Sequence, residues 1–369
     1  MQMRERPRAA ALEHVLCGVL PAIVTVWFIR LVYTSHSEAV DFRASFWPAA
    51  WRLLHGHDPY SWTHAQILSG ASFPYPALTA LLMAPAALVS SAVSSIPVTL
   101  ICISAAPAAL WLVGVRDWRL LGLILAWEPV VIGWTTANFT LILAVGLAAT
   151  WRWRERPAVA GALVAAMIAT KPIMAPIWLW FVVTRRYRAA TWAAALALVA
   201  TAIGWTVMGW AELPRWLHLL SLQRQLRGDN GYGMASVSVH SLGLGATAGT
   251  AITVALSCAL AAKCVLLGRQ GRQAAAFALA VVLTIVISPQ VDDHYFALLA
   301  VPLAVVRPRL GWSWILPAAL WMCRPVAIAG WQIDAWWVAA SLITWETIRG
   351  DEPDQRGRSA SSIAAGVVT

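Results

Sequence analysis

The sequence predicts an all-α integral membrane protein that crosses the bilayer many times. Three observations carry this. Of 369 residues, 60% are hydrophobic and only 12% are charged, against about 25% charged in a soluble domain. Mean hydropathy is +0.67. The arginines fall in short clusters between apolar runs and not along one basic face. Together these exclude a soluble enzyme, a disordered chain and a coiled-coil rod. The net charge of +10 comes from 27 basic residues, of which only Lys171 and Lys263 are lysines. Clusters of this kind act as cytoplasmic topology signals, so no nucleic-acid partner is expected. The five cysteines lie in apolar stretches without metal-ligand spacing and read as small core residues. Many of the 23 tryptophans lie near the ends of apolar runs, where an interfacial belt would place them.

Residues 1–14 read as a cytoplasmic N-terminus, and Val15–Tyr33 as an uncleaved first span leaving the cytoplasm. The polar, histidine-rich segment 34–76 is then an outer loop. If both Pro76–Val93 and Pro97–Val115 crossed, Arg116, Arg119 and the cluster Arg152–Arg156 would face outside, against the positive-inside rule. A helix over 76–91 lying along the outer surface removes the conflict. Pro97–Val115 then enters, Trp118–Gly133 exits and Asn138–Trp151 returns. The stretch 157–184 is bracketed by two basic clusters, with Lys171-Pro172 near its middle. Proline breaks the helix there. So Pro157–Thr170 exits, Lys171-Pro172 turns outside, and Ile173–Thr184 returns. These spans are short against the roughly 20 residues that cross the hydrocarbon, and need local thinning or help from their ends.

Alternation gives the rest. Ala189–Trp210 exits to a second outer segment, 211–245, and Ala246–Leu267 enters. Gln273–Ile287 exits to a third outer loop, 288–293, and His294–Val306 enters. Trp312–Cys323 exits and Trp331–Ile348 enters. The expectation is one transmembrane domain over 15–348 with about 12 crossings and both termini cytoplasmic. The polar tail 349–369 is expected to be disordered and cytoplasmic.

With this threading the polar residues gather on the outer face. They are Asp41, Arg43, His55, His57, Asp58, Tyr60, Glu128, Asn138, Lys171, Arg224, Arg227, Asp229, Asn230, His240, Asp292, Asp293 and His294. Ionisable groups at membrane depth usually serve function. Asp41 is the central candidate, as a general base toward a hydroxyl or, alternatively, as the N-cap of a surface helix. Lys171 suits a phosphate as a point charge or a snorkelling interfacial lysine. His294 suits a phosphate hydrogen bond or a proton transfer. One histidine beside two aspartates is a weak metal signal, and no metal site is expected.

The order of motifs resembles the polyprenol-phosphate-mannose-dependent mannosyltransferases of glycosyltransferase family 87, which have the GT-C fold. Asp41 precedes Leu54-His55-Gly56-His57-Asp58-Pro59-Tyr60 and then Phe73-Pro74-Tyr75-Pro76. Glu128-Pro129 leads to Asn138, Ala160-Gly161 to Lys171-Pro172 and the cluster Arg185–Arg188, and Ser288-Pro289 to His294-Tyr295. The resemblance runs over roughly residues 12–306. Two places depart from it. Thr135-Thr136-Ala137-Asn138 stands where the family has Gly-Gln-x-Asn, and Gln290–Asp293 where a tryptophan-containing stretch is expected.

The resemblance implies an inverting transferase on the outer face of the plasma membrane, with a polyprenyl-phosphate sugar donor and a glycolipid or polysaccharide acceptor, and no cofactor. Asp41 would be the base, and Lys171 and His294 would hold the donor phosphate. Arg43, His57, Asp58, Tyr60, Glu128, Asn138 and Asp293 would contact substrate. A lipid-linked-sugar transporter or flippase, or a GT-C-like scaffold without catalysis, are the alternatives.

Overall fold

The computed structural model describes residues 11–227, 231–323 and 330–351. Arg4, Arg6, Arg8, Asp229, Asn230 and the tail beyond 351 lie outside the described residues. Those described are helical, with no strand among them. In chain order the main helices are α1 (Ala11–Thr34), α2 (Trp47–Leu54), α3 (Ala77–Leu88), α4 (Ser91–Leu112), α5 (Trp118–Leu123), α6 (Glu128–Thr135), α7 (Thr140–Arg152) and α8 (Pro157–Thr170). There follow α9 (Pro172–Val183), α10 (Tyr187–Met208), α11 (Glu212–Arg227), α12 (Ala246–Arg269), α13 (Gln273–Val286), α14 (Asp293–Val306), α15 (Trp312–Ala319) and α16 (Gly330–Gly350).

Four helices are long and apolar enough to cross a membrane: α1, α4, α10 and α12. The pair α6 and α7, bent by 119°, makes a fifth candidate. This is a helical membrane protein. The helices α3, α8, α9, α13 and α14 are shorter but apolar. At 1.5 Å per residue the 14 residues of α8 span about 21 Å, less than the ~30 Å of hydrocarbon.

Two spans differ from the sequence expectation. The helix expected from Pro97 starts at Ser91 and carries both Pro97 and Pro107 inside it. In an apolar medium the helix persists because few other partners exist for its remaining backbone groups. The span expected at 118–133 is split into α5, a 3₁₀ turn over Ile124–Ala126, and α6, whose first turn holds Glu128-Pro129. Proline at the second helical position needs no intrahelical partner, so it starts α6 and separates it from the turn before.

The bundle has two unlike ends. Helices α7, α9 and α14 run toward the basic loops, whereas α8 and α13 start from them. At that end Arg152 Nη1 donates to the Leu112 carbonyl at 3.3 Å. Arg119 reaches Glu13 at 3.0 Å, and Arg307 reaches Glu346 at 3.0 Å. Arg186 pairs with Glu155 and donates to Gln273 Oε1. Helix α16 runs to Gly350, and Asp351 accepts from the Ala275 amide at 2.9 Å. The opposite ends of α7, α8, α9, α13 and α14 meet the segments 39–46, 70–76 and 216–227.

Small residues let these short helices approach closely. A Cβ on Gly161 of α8 would lie 2.5 Å from Trp192 Cβ and 2.9 Å from the Ala189 carbonyl of α10, the close backbone contact typical of membrane helix pairs. Tryptophans do more than mark an interface. Trp127, Trp134, Trp180, Trp314 and Trp336 are fully buried. Trp127 Nε1 donates to the Trp314 carbonyl, Trp180 Nε1 to Gln273, and Trp216 Nε1 to Pro74. Each of these indole N–H groups finds a carbonyl acceptor on a neighbouring element, as an indole removed from water requires. Cys17, Cys102 and Cys264 are buried as expected, but Cys258, on α12, is exposed.

Candidate active site

The corner between α6 and α7 organises the site. Helix α6 ends with two backbone bonds, from the Ala137 amide to the Trp134 carbonyl and from the Asn138 amide to the Gly133 carbonyl. This is a Schellman ending, which requires a left-handed residue. Ala137 supplies it at φ 52°, without the freedom of glycine. The segment before α2 docks on this corner: the Ala39 amide donates to the Thr135 carbonyl at 2.9 Å and the Asp41 amide to the Thr136 carbonyl at 3.1 Å. Ala39 is also left-handed, at φ 51°. Each such residue costs about 1–2 kcal/mol, and the two bracket a single side-chain contact. In it Asn138 Nδ2 donates to Asp41 Oδ2 at 2.7 Å.

A chain of hydrogen bonds continues inward from that contact. Asn138 Oδ1 accepts from the Thr140 hydroxyl at 2.8 Å and from the Thr140 amide at 2.9 Å. Thr140 Oγ1 in turn accepts from Lys171 Nζ at 3.1 Å. Every donor points the same way, from ammonium to hydroxyl to amide to carboxylate, so each bond polarises the next. Lys171 follows α8 in extended conformation, as the residue before a proline must. Its ammonium stands 3.9 Å from the centre of the Tyr295 ring and 5.6 Å from that of Tyr75.

Except for Thr140, which lies behind the wall, these groups line one cavity of about 290 Å³. Asp41, Ser45, Phe46, Gly70, Ser72 and Tyr75 form one wall, Asn138, Lys171, Ser288, Asp292, His294 and Tyr295 another, and Trp216, Leu220, Gln223 and Arg227 of α11 a third. Lys171 is 5% exposed and His294 3%. His294 Nε2 is buried without a hydrogen-bond partner, and its Nδ1 stands 3.7 Å from Asp293 Oδ1, beyond hydrogen-bond range. Burial holds the Asp41 carboxyl above its usual range. His294 and the Asn138 bond oppose this, and Asp292 adds to it. Burial lowers the Lys171 ammonium to about 7 against the pull of Asp292 and Asp41. A lysine so placed keeps its charge best when an anion joins it.

The structure therefore brings together Asp41, Asn138, Lys171 and His294 from the sequence reading. It gives Asp41 no capping bond, which removes the N-cap alternative. The other expected contacts do not line the cavity. Arg43 is paired with Glu38. His57 stacks on Trp51. Asp58 caps the Tyr60 amide and meets Arg215. Tyr60 donates to the Tyr75 carbonyl at 3.1 Å, so it props a cavity residue from behind. Glu128 is buried in the first turn of α6. Asp293 turns back to cap the His294 amide at 2.8 Å. Its neighbour Asp292 lines the cavity, as do Tyr75 and Tyr295. The sequence signal for Asp292 is its place beside the Ser288-Pro289 loop, but only the path of that loop selects it over Asp293. Among the described residues no three His, Cys, Asp or Glu side chains are grouped to hold a metal ion.

Residues 73–289 match the profile of glycosyltransferase family 87. The chain belongs to that family. No curated protein and no solved structure gives a significant match. The matched stretch of this family 87 glycosyltransferase holds Asn138, Thr140, Lys171, Arg227 and Ser288. Asp41 lies upstream of it and Asp292 and His294 downstream, yet these three line the same cavity as Asn138, Lys171, Arg227 and Ser288. Membership makes the chain a membrane glycosyltransferase, with a sugar donor and an acceptor to accommodate.

Proposed function

We propose that this glycosyltransferase moves a mannose from a polyprenyl-phosphate donor to a glycolipid or cell-envelope glycan on the outer face of the plasma membrane, with inversion, forming an α-mannoside. The observation that carries the reading is the one-way hydrogen-bond chain from Lys171 through Thr140 and Asn138 to Asp41 on the wall of one cavity. It sets a carboxylate and an ammonium at its two ends. The acceptor hydroxyl attacks the anomeric carbon and gives its proton to Asp41. The new C–O bond forms as the bond from that carbon to the phosphate oxygen breaks, and the electron pair leaves with the polyprenyl phosphate.

Such a leaving group needs no protonation, but it gains charge in the transition state. Preorganised positive charge and donors there lower the barrier. Lys171 supplies the charge, and His294 Nε2, buried without a protein partner, supplies a hydrogen bond in its protonated tautomer. The Asn138 bond to Asp41 fixes the base and favours its ionised form, opposing the larger effect of burial.

The outer-face placement is supported by the two ends of the bundle, since the cavity lies opposite the arginine clusters. Sugar transfer is favoured over transport because the ionisable cavity groups gather at one end of the helices and not at their middle.

The test is transfer in isolated membranes. Membranes with and without the full chain are incubated with radiolabelled polyprenyl-phosphate-mannose, and labelled lipid and polysaccharide fractions are separated. Label in a new glycan that depends on the protein supports the reading. Label that moves across sealed vesicles without any new glycosidic bond would establish the transporter instead.

A further inference from the structure

Helix α11 forms a lid-like third wall over the cavity, and the proposed mechanism uses none of its residues. Trp216, Leu220, Gln223 and Arg227 recur at helical spacing and all face the cavity. The helix is tied down near its start by Trp216 Nε1 on the Pro74 carbonyl and by Arg215 on Asp58. Near its end, Arg227 lays its guanidinium across Gly70. Gly70 is left-handed at φ 83°, and a Cβ built there would stand 2.6 Å from Arg227 Nη1. The chain thus leaves room at residue 70 for this guanidinium.

Arg227 Nε is buried with no acceptor, and no carboxylate among the described residues pairs with the side chain. The side chain as a whole is half-buried, so its guanidinium keeps its charge while one of its donors, sealed from water, stays without an acceptor, which is unfavourable. A guanidinium on a cavity wall, with donors in a planar fork, matches two oxygens of a phosphate.

We propose that Arg227 is a second anion-binding residue of the site, holding a phosphate ester by its guanidinium fork across the cavity from Lys171. The inference rests on the transferase reading for the identity of the lipid, which is either the donor carrier, a phosphate monoester once released, or a phosphodiester headgroup on the acceptor lipid. Gly70 positions Arg227 by admitting it to the cavity.

Equilibrium binding separates this inference from that reading, because it needs no turnover. Full-length Asp41→Asn protein in detergent is titrated with farnesyl phosphate, with dioctanoyl phosphatidylglycerol and with uncharged farnesol. Arg227→Gln should weaken one of the two phosphates by about ten- to a hundredfold and leave farnesol unchanged. Loss for farnesyl phosphate assigns Arg227 to the carrier, and loss for the phosphodiester assigns it to the acceptor. Arg227→Lys should recover only part of the loss, since the fork is gone. Gly70→Ala should weaken the same ligand by crowding the guanidinium. Wild-type affinity for both phosphates in Arg227→Gln and Arg227→Lys, with binding still lost in Lys171→Ala, would overturn the role of Arg227 while leaving the proposed function standing.

Discussion

Replacing Asp41 by asparagine removes the proton acceptor and almost nothing else. Asn138 Nδ2 donates to Asp41 Oδ2 at 2.7 Å, and an amide oxygen at position 41 accepts the same bond. A hydrogen bond to a charged group is worth about 1.5–3 kcal/mol and a neutral one about 0.5–1.5, so the contact weakens by about 1 kcal/mol. Burial disfavours the ionised form of Asp41 and holds its carboxyl above the usual range, and the neutral side chain removes that penalty. Asp41 makes no capping bond whose loss would loosen the segment before α2. Folding and polyprenyl phosphate binding should therefore stay near wild type. Transfer should fall by about 10²–10⁴-fold, the usual contribution of a general base. Asp41→Glu should recover little, because one added methylene displaces the carboxylate from Asn138 and from the attacking hydroxyl. The assay is initial-rate transfer from labelled donor, beside a titration of polyprenyl phosphate and a thermal unfolding midpoint for each variant. Turnover close to wild type in Asp41→Asn, or a loss of donor binding as large as the loss of transfer, would refute the role of Asp41 as base.

Lys171→Ala should lower kcat/KM for the donor by about ten- to a hundredfold, and Lys171→Arg should restore part of it. Burial lowers the Lys171 ammonium to about 7. It is charged below that pH and neutral above, so donor capture should weaken as pH rises through 7. Asp41 must be ionised, so activity should also fall as pH drops through its raised value. Lys171→Arg should abolish the alkaline limb alone, and an unchanged limb would assign it to another group. Ala137→Gly should stabilise the protein by about 0.5–1 kcal/mol, since glycine adopts the left-handed conformation freely but has more freedom to lose on folding. A lower unfolding midpoint would show that the corner is not strained there. In a chain without native cysteines, cysteine at Trp153 or Tyr187 should resist an impermeant external thiol reagent, and at Ser61 should react, the reverse pattern overturning the proposed orientation. Thr170, although near the outer turn by sequence, is 2% exposed and makes no useful probe.

Composition and charge placement determined that this chain lives in lipid, because nothing so poor in charge can remain soluble without burying most of its surface. Proline and arginine placed the Lys171 turn and the end of α8 at Thr170, since those are local constraints on backbone and on topology. Asp41, Asn138, Lys171 and His294 were legible as candidates because an ionisable or amide group next to an apolar run has few other reasons to be there.

The sequence could not tell which candidates share a cavity. Arg43, His57, Asp58 and Asp293 carry the same chemistry as the residues that do, but local partners engage them: Glu38, Trp51, the Tyr60 amide and the His294 amide. That choice depends on loop paths set by left-handed residues such as Ala39 and Ala137, which no side-chain pattern announces. Only tertiary structure brought Arg227 over Gly70 and wired Lys171 to Asp41 through Thr140. Those contacts join residues far apart in the chain, and their energies arise only when packing removes the water between them.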